Sequence, residues 1–139
     1  MKISGLLSRS GRELPGLTGL ARVDRRVDAL ARRVGCGEIA VFDQVDVDRR
    51  TADALVAAGV AGVVNAAPSI SGRFPNLGPE ILVSAGIMLV DGVGAEVLRI
   101  KDGSRLRLHE GRVYVGDIEV ARGIEQTANS IADLLIEAK

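Results

Sequence analysis

Residues 51–90 read TADALVAAGVAGVVNAAPSISGRFPNLGPEILVSAGIMLV, and the fold turns on how this run divides. Ala54, Leu55 and Ala58 recur at helical spacing over 51–58, Gly59 stops the helix, and residues 60–64 form a short apolar run with the β-branched character of a buried strand. The order then repeats. Pro79 stands in the first turn of a helix over 79–85, Gly86 caps it, and residues 87–90 make a second buried strand. Two helix–glycine–strand units in succession predict parallel neighbours joined by right-handed crossovers, hence an α/β domain with a short, mostly parallel sheet and flanking helices.

Upstream, Ile39, Ala40, Val41 and Phe42 predict a further strand within 38–45, followed by an acidic loop with Asp43, Asp46 and Asp48. Val23, Val27, Leu30, Ala31 and Val34 keep helical steps up to Gly35, while Arg25, Arg26, Arg32 and Arg33 take other faces, which predicts an exposed basic helix over 24–34. Residues 1–22 mix Gly, Ser, Pro and Thr with scattered leucines and read as a basic arm. Downstream, Lys101-Asp102-Gly103 is a turn, Arg105 to Leu108 alternates charge and leucine, Glu110-Gly111 turns again, and residues 112–115 run back as a β-hairpin. Gly116-Asp117 leads into residues 118–120. Residues 126–139 are amphipathic, with Ile131, Leu134, Leu135 and Ala138 on one side. The expected organisation is an arm over 1–22, an α/β domain over 23–122, and a helix over 123–139 that leads into a further domain, since the sequence stops inside a well-formed helix.

The composition narrows the function classes. At 139 residues and 47% hydrophobic, the chain is long enough for one domain with its own core. Eighteen basic residues balance eighteen acidic ones and aromatics make up only 2%, which argues against nucleic acid as the main partner. The charge is uneven, with eight Lys/Arg against three acids in residues 1–33. The single Cys36 cannot form an internal disulfide and suits a reducing cytoplasm. No apolar run reaches the ~18 residues of a membrane span.

The segment between the second and third expected strands is the site candidate. A strand ending at Asn65 hands over to a helix beginning near Leu77, and α/β domains gather ligands at such carboxyl ends. Ser69, Ser71, Arg73 and Asn76 carry hydrogen-bond donors, Gly72 admits close backbone approach, and Gly78 opens the helix. With Asn65 these residues describe an anion cradle. The alternative is a self-contained turn in which Asn65 and Asn76 cap backbone groups and Arg73 pairs with an acid. Asp43, Asp46 and Asp48 suit either a hydrated Mg²⁺ or the start of a helix whose dipole favours acids. His109, the only histidine, has no second histidine or cysteine nearby and reads as an exposed strand residue.

Two resemblances follow from these residues. Ser71-Gly72-Arg73, the helix ending at Ala85-Gly86-Ile87, Glu96-Val97-Leu98, Lys101-Asp102-Gly103 and Gly111-Arg112-Val113-Tyr114 together resemble the swivelling phosphohistidine domain of phosphoenolpyruvate-utilising enzymes. That family carries a phosphorylated histidine near the position of Asn76, and an amide cannot replace it. The run over 51–86, with KDGSRLRLHEGRVYVGD over 101–117 and IADLLIEAK over 131–139, is similar to the N-terminal region of the SteA family of actinobacterial cytokinetic-ring proteins, also described as thiamin-pyrophosphokinase-like. That resemblance implies a part in cell division and cell separation at the septum, with a SteB-like coiled-coil partner, influence on a peptidoglycan hydrolase, and a homodimer. It also implies a pyrophosphokinase-like domain and a membrane segment beyond this sequence, so that the longer protein is cytoplasmic and membrane-associated. On this expectation the domain assembles partners or senses a ligand. The alternative is a share in a nucleotide-dependent transferase, with Mg²⁺ and a phosphorylated substrate bound by the 65–80 loop.

Overall fold

Four parallel strands form the centre of the molecule in the computed structural model, which describes residues 14–72 and 76–138. They are β1 (Leu17–Val23), β2 (Ile39–Phe42), β3 (Gly62–Asn65) and β4 (Met88–Asp91), and each pairs with its neighbour in sequence. The crossovers carry α1 (Val27–Ala31), α2 (Arg49–Ala58) and α3 (Gly78–Ser84). A 3-10 turn (Ala95–Arg99) follows, then β5 (Arg105–His109), β6 (Arg112–Val115), β7 (Ile118–Arg122), β8 (Ile124–Glu125) and α4 (Ala128–Ala138). The eight strands lie in the order β7-β6-β5-β1-β2-β3-β4-β8, with β5, β6, β7 and β8 each antiparallel to the strand it joins. The α/β class expected from residues 51–90 is the one observed, with parallel pairing through β1 to β4 and antiparallel strands added at both sides.

Register explains the two cores. Ala40, Val63 and Leu89 align across β2, β3 and β4, and alternation along each strand sends them all to the same face. There they meet Leu30 of α1, Leu55 of α2 and Leu82 of α3, every one fully buried. Each such leucine contributes about 2 kcal/mol through burial. The neighbouring row, Val41, Val64 and Val90, points the other way into a second core with Val97, Leu106, Leu108 and Val113.

Among the described residues no α-helix covers that second face; the 3-10 turn, through Val97, and the sheet itself, which curls over, close it. A Cβ placed on Gly62 of β3 would lie 2.8 Å from Leu17 Cδ2 and 3.1 Å from Leu108 Cδ1, so side chains of β1 and β5 lean across to β3. The two edge strands, β7 and β8, are separated in sequence by Gly123 alone. The chain therefore passes from one edge of the sheet to the other at one residue. A Cβ on Gly123 would collide with the Asp91 carbonyl and sit 2.7 Å from Val93 Cγ1, so the corner requires glycine.

Three expectations are corrected. The arm over 1–22 gives way within the described residues to β1, an interior strand between β5 and β2, while residues 1–13 lie outside the described residues. Its inward positions include Gly19 and Ala21, too small to register as a hydrophobic alternation; a Cβ on Gly19 would stand 2.8 Å from the Gly37 carbonyl. The basic helix over 24–34 shrinks to the five residues of α1, since the Asp24 carboxylate accepts the Arg26 N–H at 3.0 Å and holds a turn there. The boundary at 122/123 dissolves because β8 pairs with β4 in the main sheet.

Candidate functional site

The loops that leave the carboxyl ends of β1 to β4 meet on one rim of the sheet. Residues 66–71 fold back onto residues 43–47: Asp46 N donates to the Pro68 carbonyl at 3.1 Å and Val47 N to the Ser69 carbonyl at 3.0 Å. Asn65, the last residue of β3 and fully buried, clamps the pair. Its Oδ1 accepts from Gln44 N at 3.0 Å and Ala67 N at 3.1 Å, while its Nδ2 donates to the Gln44 carbonyl and to Ser69 Oγ, each at 2.8 Å. A buried amide with all these partners fixes loop shape and is closed to a ligand.

Ser69 is equally buried. Its Oγ donates to Asp91 Oδ1 at 2.7 Å, and its backbone N–H is shared between both carboxylate oxygens at 3.0 Å. Asp91 ends β4 and is 4% exposed. Gln126 Nε2 completes the set by donating to Oδ2 at 3.1 Å. Burial pushes the Asp91 carboxyl above the usual carboxylate range, and the hydrogen bonds from Ser69, Gln126 and the Gly92 backbone pull back toward the charged form.

The outer half of the loop is arranged differently. Exposed Ser71 holds Asp46 twice, through its N–H at 2.8 Å and its Oγ at 2.9 Å. Asp46 adopts φ 61°, a left-handed conformation held by these bonds. Gly72, at φ +91°, faces open space. Arg73 lies outside the described residues. Asn76 Nδ2 is buried with no hydrogen-bond partner among the described residues. Gly78 starts α3 against the preceding loop; a Cβ there would collide with the Val47 carbonyl and lie 2.7 Å from that of Asp48. Of the seven residues of the expected cradle, Asn65, Ser69 and Gly78 build the loop, while Ser71, Gly72 and Asn76 occupy its outer part.

The three loop aspartates separate into distinct tasks. Asp43 stands 3.6 Å from Arg25, Asp46 holds Ser71, and Asp48 caps α2 by accepting Thr51 N–H at 2.8 Å. The Thr51 backbone and hydroxyl hold the Asp48 carboxyl below its usual range. Among the described residues no cluster of His, Cys, Asp and Glu is arranged to hold a metal ion. His109, expected to be exposed, is half-buried on β5 with Nε2 3.5 Å from Glu110. The basic residues of the α1 segment are partly tied down, since Arg33 donates to Asp102 at 3.1 Å and to the Val23 carbonyl at 2.6 Å.

Beside the loop opens a cleft of about 590 Å³, walled by two arginines, Arg25 and Arg26, and four carboxylates, Asp28, Asp43, Asp46 and Asp48. It lies off the carboxyl ends of β1 and β2, the place where α/β folds hold ligands. The Arg25 and Arg26 side chains are 70% and 75% exposed on its wall. Asp91, Gln126 and this cleft escaped the sequence reading. Asp91 carried one legible signal, as the single acid closing the apolar run 87–91 at the carboxyl end of an expected strand.

The chain matches no protein-family model and no curated protein.

Proposed function

We propose that this chain is an assembly or ligand-sensing domain of a SteA-like cell-division protein, and that its ligand is a small anion, of the phosphate-bearing kind, received in the cleft off β1 and β2. The division assignment is supported by the resemblance of residues 51–86, 101–117 and 131–139. The binding assignment rests on one observation: a cleft of about 590 Å³ at strand carboxyl ends, with Arg25 and Arg26 exposed on its wall and held only loosely by Asp43 at 3.6 Å and Asp28 at 3.4 Å. Arginine offers an anion a planar fork of donors, and an exposed guanidinium loosely paired at 3.6 Å can exchange its carboxylate for a better acceptor. Asp43 and Gln44 then face whatever hydroxyls or amines the ligand bears.

The rigid inner loop favours sensing over catalysis. Asn65 and Ser69 use their polar atoms on one another, on Gln44 and on Asp91. A transferase would call for carboxylates free to hold Mg²⁺, whereas Asp46 and Asp48 are engaged with Ser71 and Thr51. The proposed output is contact with a SteB-like coiled coil or a second copy of the chain.

Thermal denaturation with pyrophosphate, nucleotides, sugar nucleotides and thiamin phosphates tests the binding assignment. A ligand should raise the melting temperature of the wild type and leave Arg25→Ala unmoved. No shift with any of these anions sinks the sensing role and leaves assembly, to be measured by light scattering with and without a SteB-like partner.

A further inference from the structure

Among its described side chains, helix α4 is attached to the rest of the fold by little apolar surface. Ile131 is fully buried, Leu134 and Leu135 are half-buried, and Ile136 is 68% exposed. An element held by so few buried apolar groups opens locally at low cost. Its first turn is better secured. Thr127 N donates to Ser130 Oγ at 2.8 Å and Ser130 N returns a bond to Thr127 Oγ1 at 3.1 Å, a reciprocal cap.

The cap is wired inward. Ser130 Oγ lies 2.6 Å from Gln126 Oε1, and Gln126 Nε2 donates to Asp91 Oδ2. The other side of that carboxylate is taken by Ser69 N and Oγ, and Ser69 Oγ in turn accepts from Asn65. A continuous series of hydrogen bonds therefore links the inner loop after β3, through the end of β4, to the first turn of α4. Asp91 accepts from both directions, so its orientation is shared by two otherwise separate elements. With the helix seated, Gln126 serves Asp91 and Ser130 together.

We propose that the seating of α4 on its own fold is set by the 65–71 loop through Ser69, Asp91 and Gln126. The two Ser69 donors hold the carboxylate so that Oδ2 faces Gln126; without them it is free to turn or take up water, and the anchor of the first turn weakens. The coupling belongs to the protein itself and needs no ligand, so it stands or falls apart from the anion reading.

Hydrogen–deuterium exchange on the full chain tests it. Ser69→Ala should speed exchange of the amides over 128–136 about tenfold, the equivalent of one buried hydrogen bond, while amides of α2 keep their rates. Linkage demands the reverse effect, with Gln126→Ala speeding exchange over 66–71. Unchanged α4 rates in Ser69→Ala, or one common factor across every helix, overturn the proposal. Should Ser69→Ala not fold, Gln126→Ala decides alone: faster α4 exchange with an unaltered 66–71 loop also overturns it.

Discussion

Two polar clusters in this molecule use similar hydrogen bonds in opposite surroundings. Around Asp91, the side chains of Asn65, Ser69 and Gln126 are buried to 7% exposure or less, and a single carboxylate is met by neutral donors. Around Asp102, the Arg22 and Arg33 guanidiniums each approach at 3.1 Å, Val23 N donates at 2.7 Å, and Glu38 takes Arg22 at 2.9 Å, with side chains 19% to 42% exposed. The second cluster has more charges and short distances. Water and salt screen it, whereas nothing replaces a lost partner in the first. Exposure decides which cluster the fold depends on.

The sharpest way to break this contrast is Asp91→Ala. Several buried donors lose their acceptor at once, and chemical denaturation should register a loss of about 3 kcal/mol that is nearly the same at low and ~1 M salt. A salt-dependent loss would place Asp91 in the same class as Asp102. Gly123→Ala probes the corner that brings β8 beside β4 and Gln126 within reach of Asp91. The added Cβ meets the Asp91 carbonyl, and a destabilisation of about 2 kcal/mol is expected in the same measurement. Asp48→Ala removes a surface cap from α2 and should cost about 1 kcal/mol. Asp102→Asn is expected to give the smallest change, and one that vanishes in ~1 M salt.

Acidity separates the clusters by sign. Asp102 is held below its usual range, first by the Val23 N–H, and Glu38 likewise, first by Arg22. Their stabilisation is present above the ordinary carboxylate value of about 4 and is lost as pH falls through the depressed values. Asp91 is raised, so the folded state holds its proton more tightly than the unfolded chain. Its contribution is largest in acid and declines as pH rises from about 4 through the raised value. Lowering the pH from ~7 toward ~4 should therefore favour the wild type relative to Asp91→Asn, as followed by denaturation at each pH. Parallel curves for the two proteins would count against the raised carboxyl.

The same contrast runs through what could be read in advance. Glu38, Asp102 and the arginines announce themselves as charges, yet nothing local says that residue 102 meets residue 22. Asp91 meets Ser69 across 22 residues and Gln126 across 35, separations at which periodicity carries no information. The loop over 65–80 was legible as unusual, by its Ser, Asn, Pro and Gly content, but not as holding a buried polar pair, Asn65 and Ser69, beside exposed Ser71 and Gly72. That arrangement depends on residues 43–47 pairing with 66–71. β1 does not show as a hydrophobic alternation because Gly19 and Ala21 occupy its inward positions, and at Gly19 the approach of Gly37 and Ile39 leaves no room for a side chain.

The sequence by itself determined the α/β class, the helix–glycine–strand repeats over 51–90 and the hairpin over 105–115, because each depends on periodicity and turn chemistry within a dozen residues. Tertiary structure alone decided that β1 lies inside the sheet, that Gly123 joins its two edges, and that Asn65, Ser69, Asp91 and Gln126 share one buried network. Those outcomes depend on which distant groups exclude water together, and a local pattern holds no record of that.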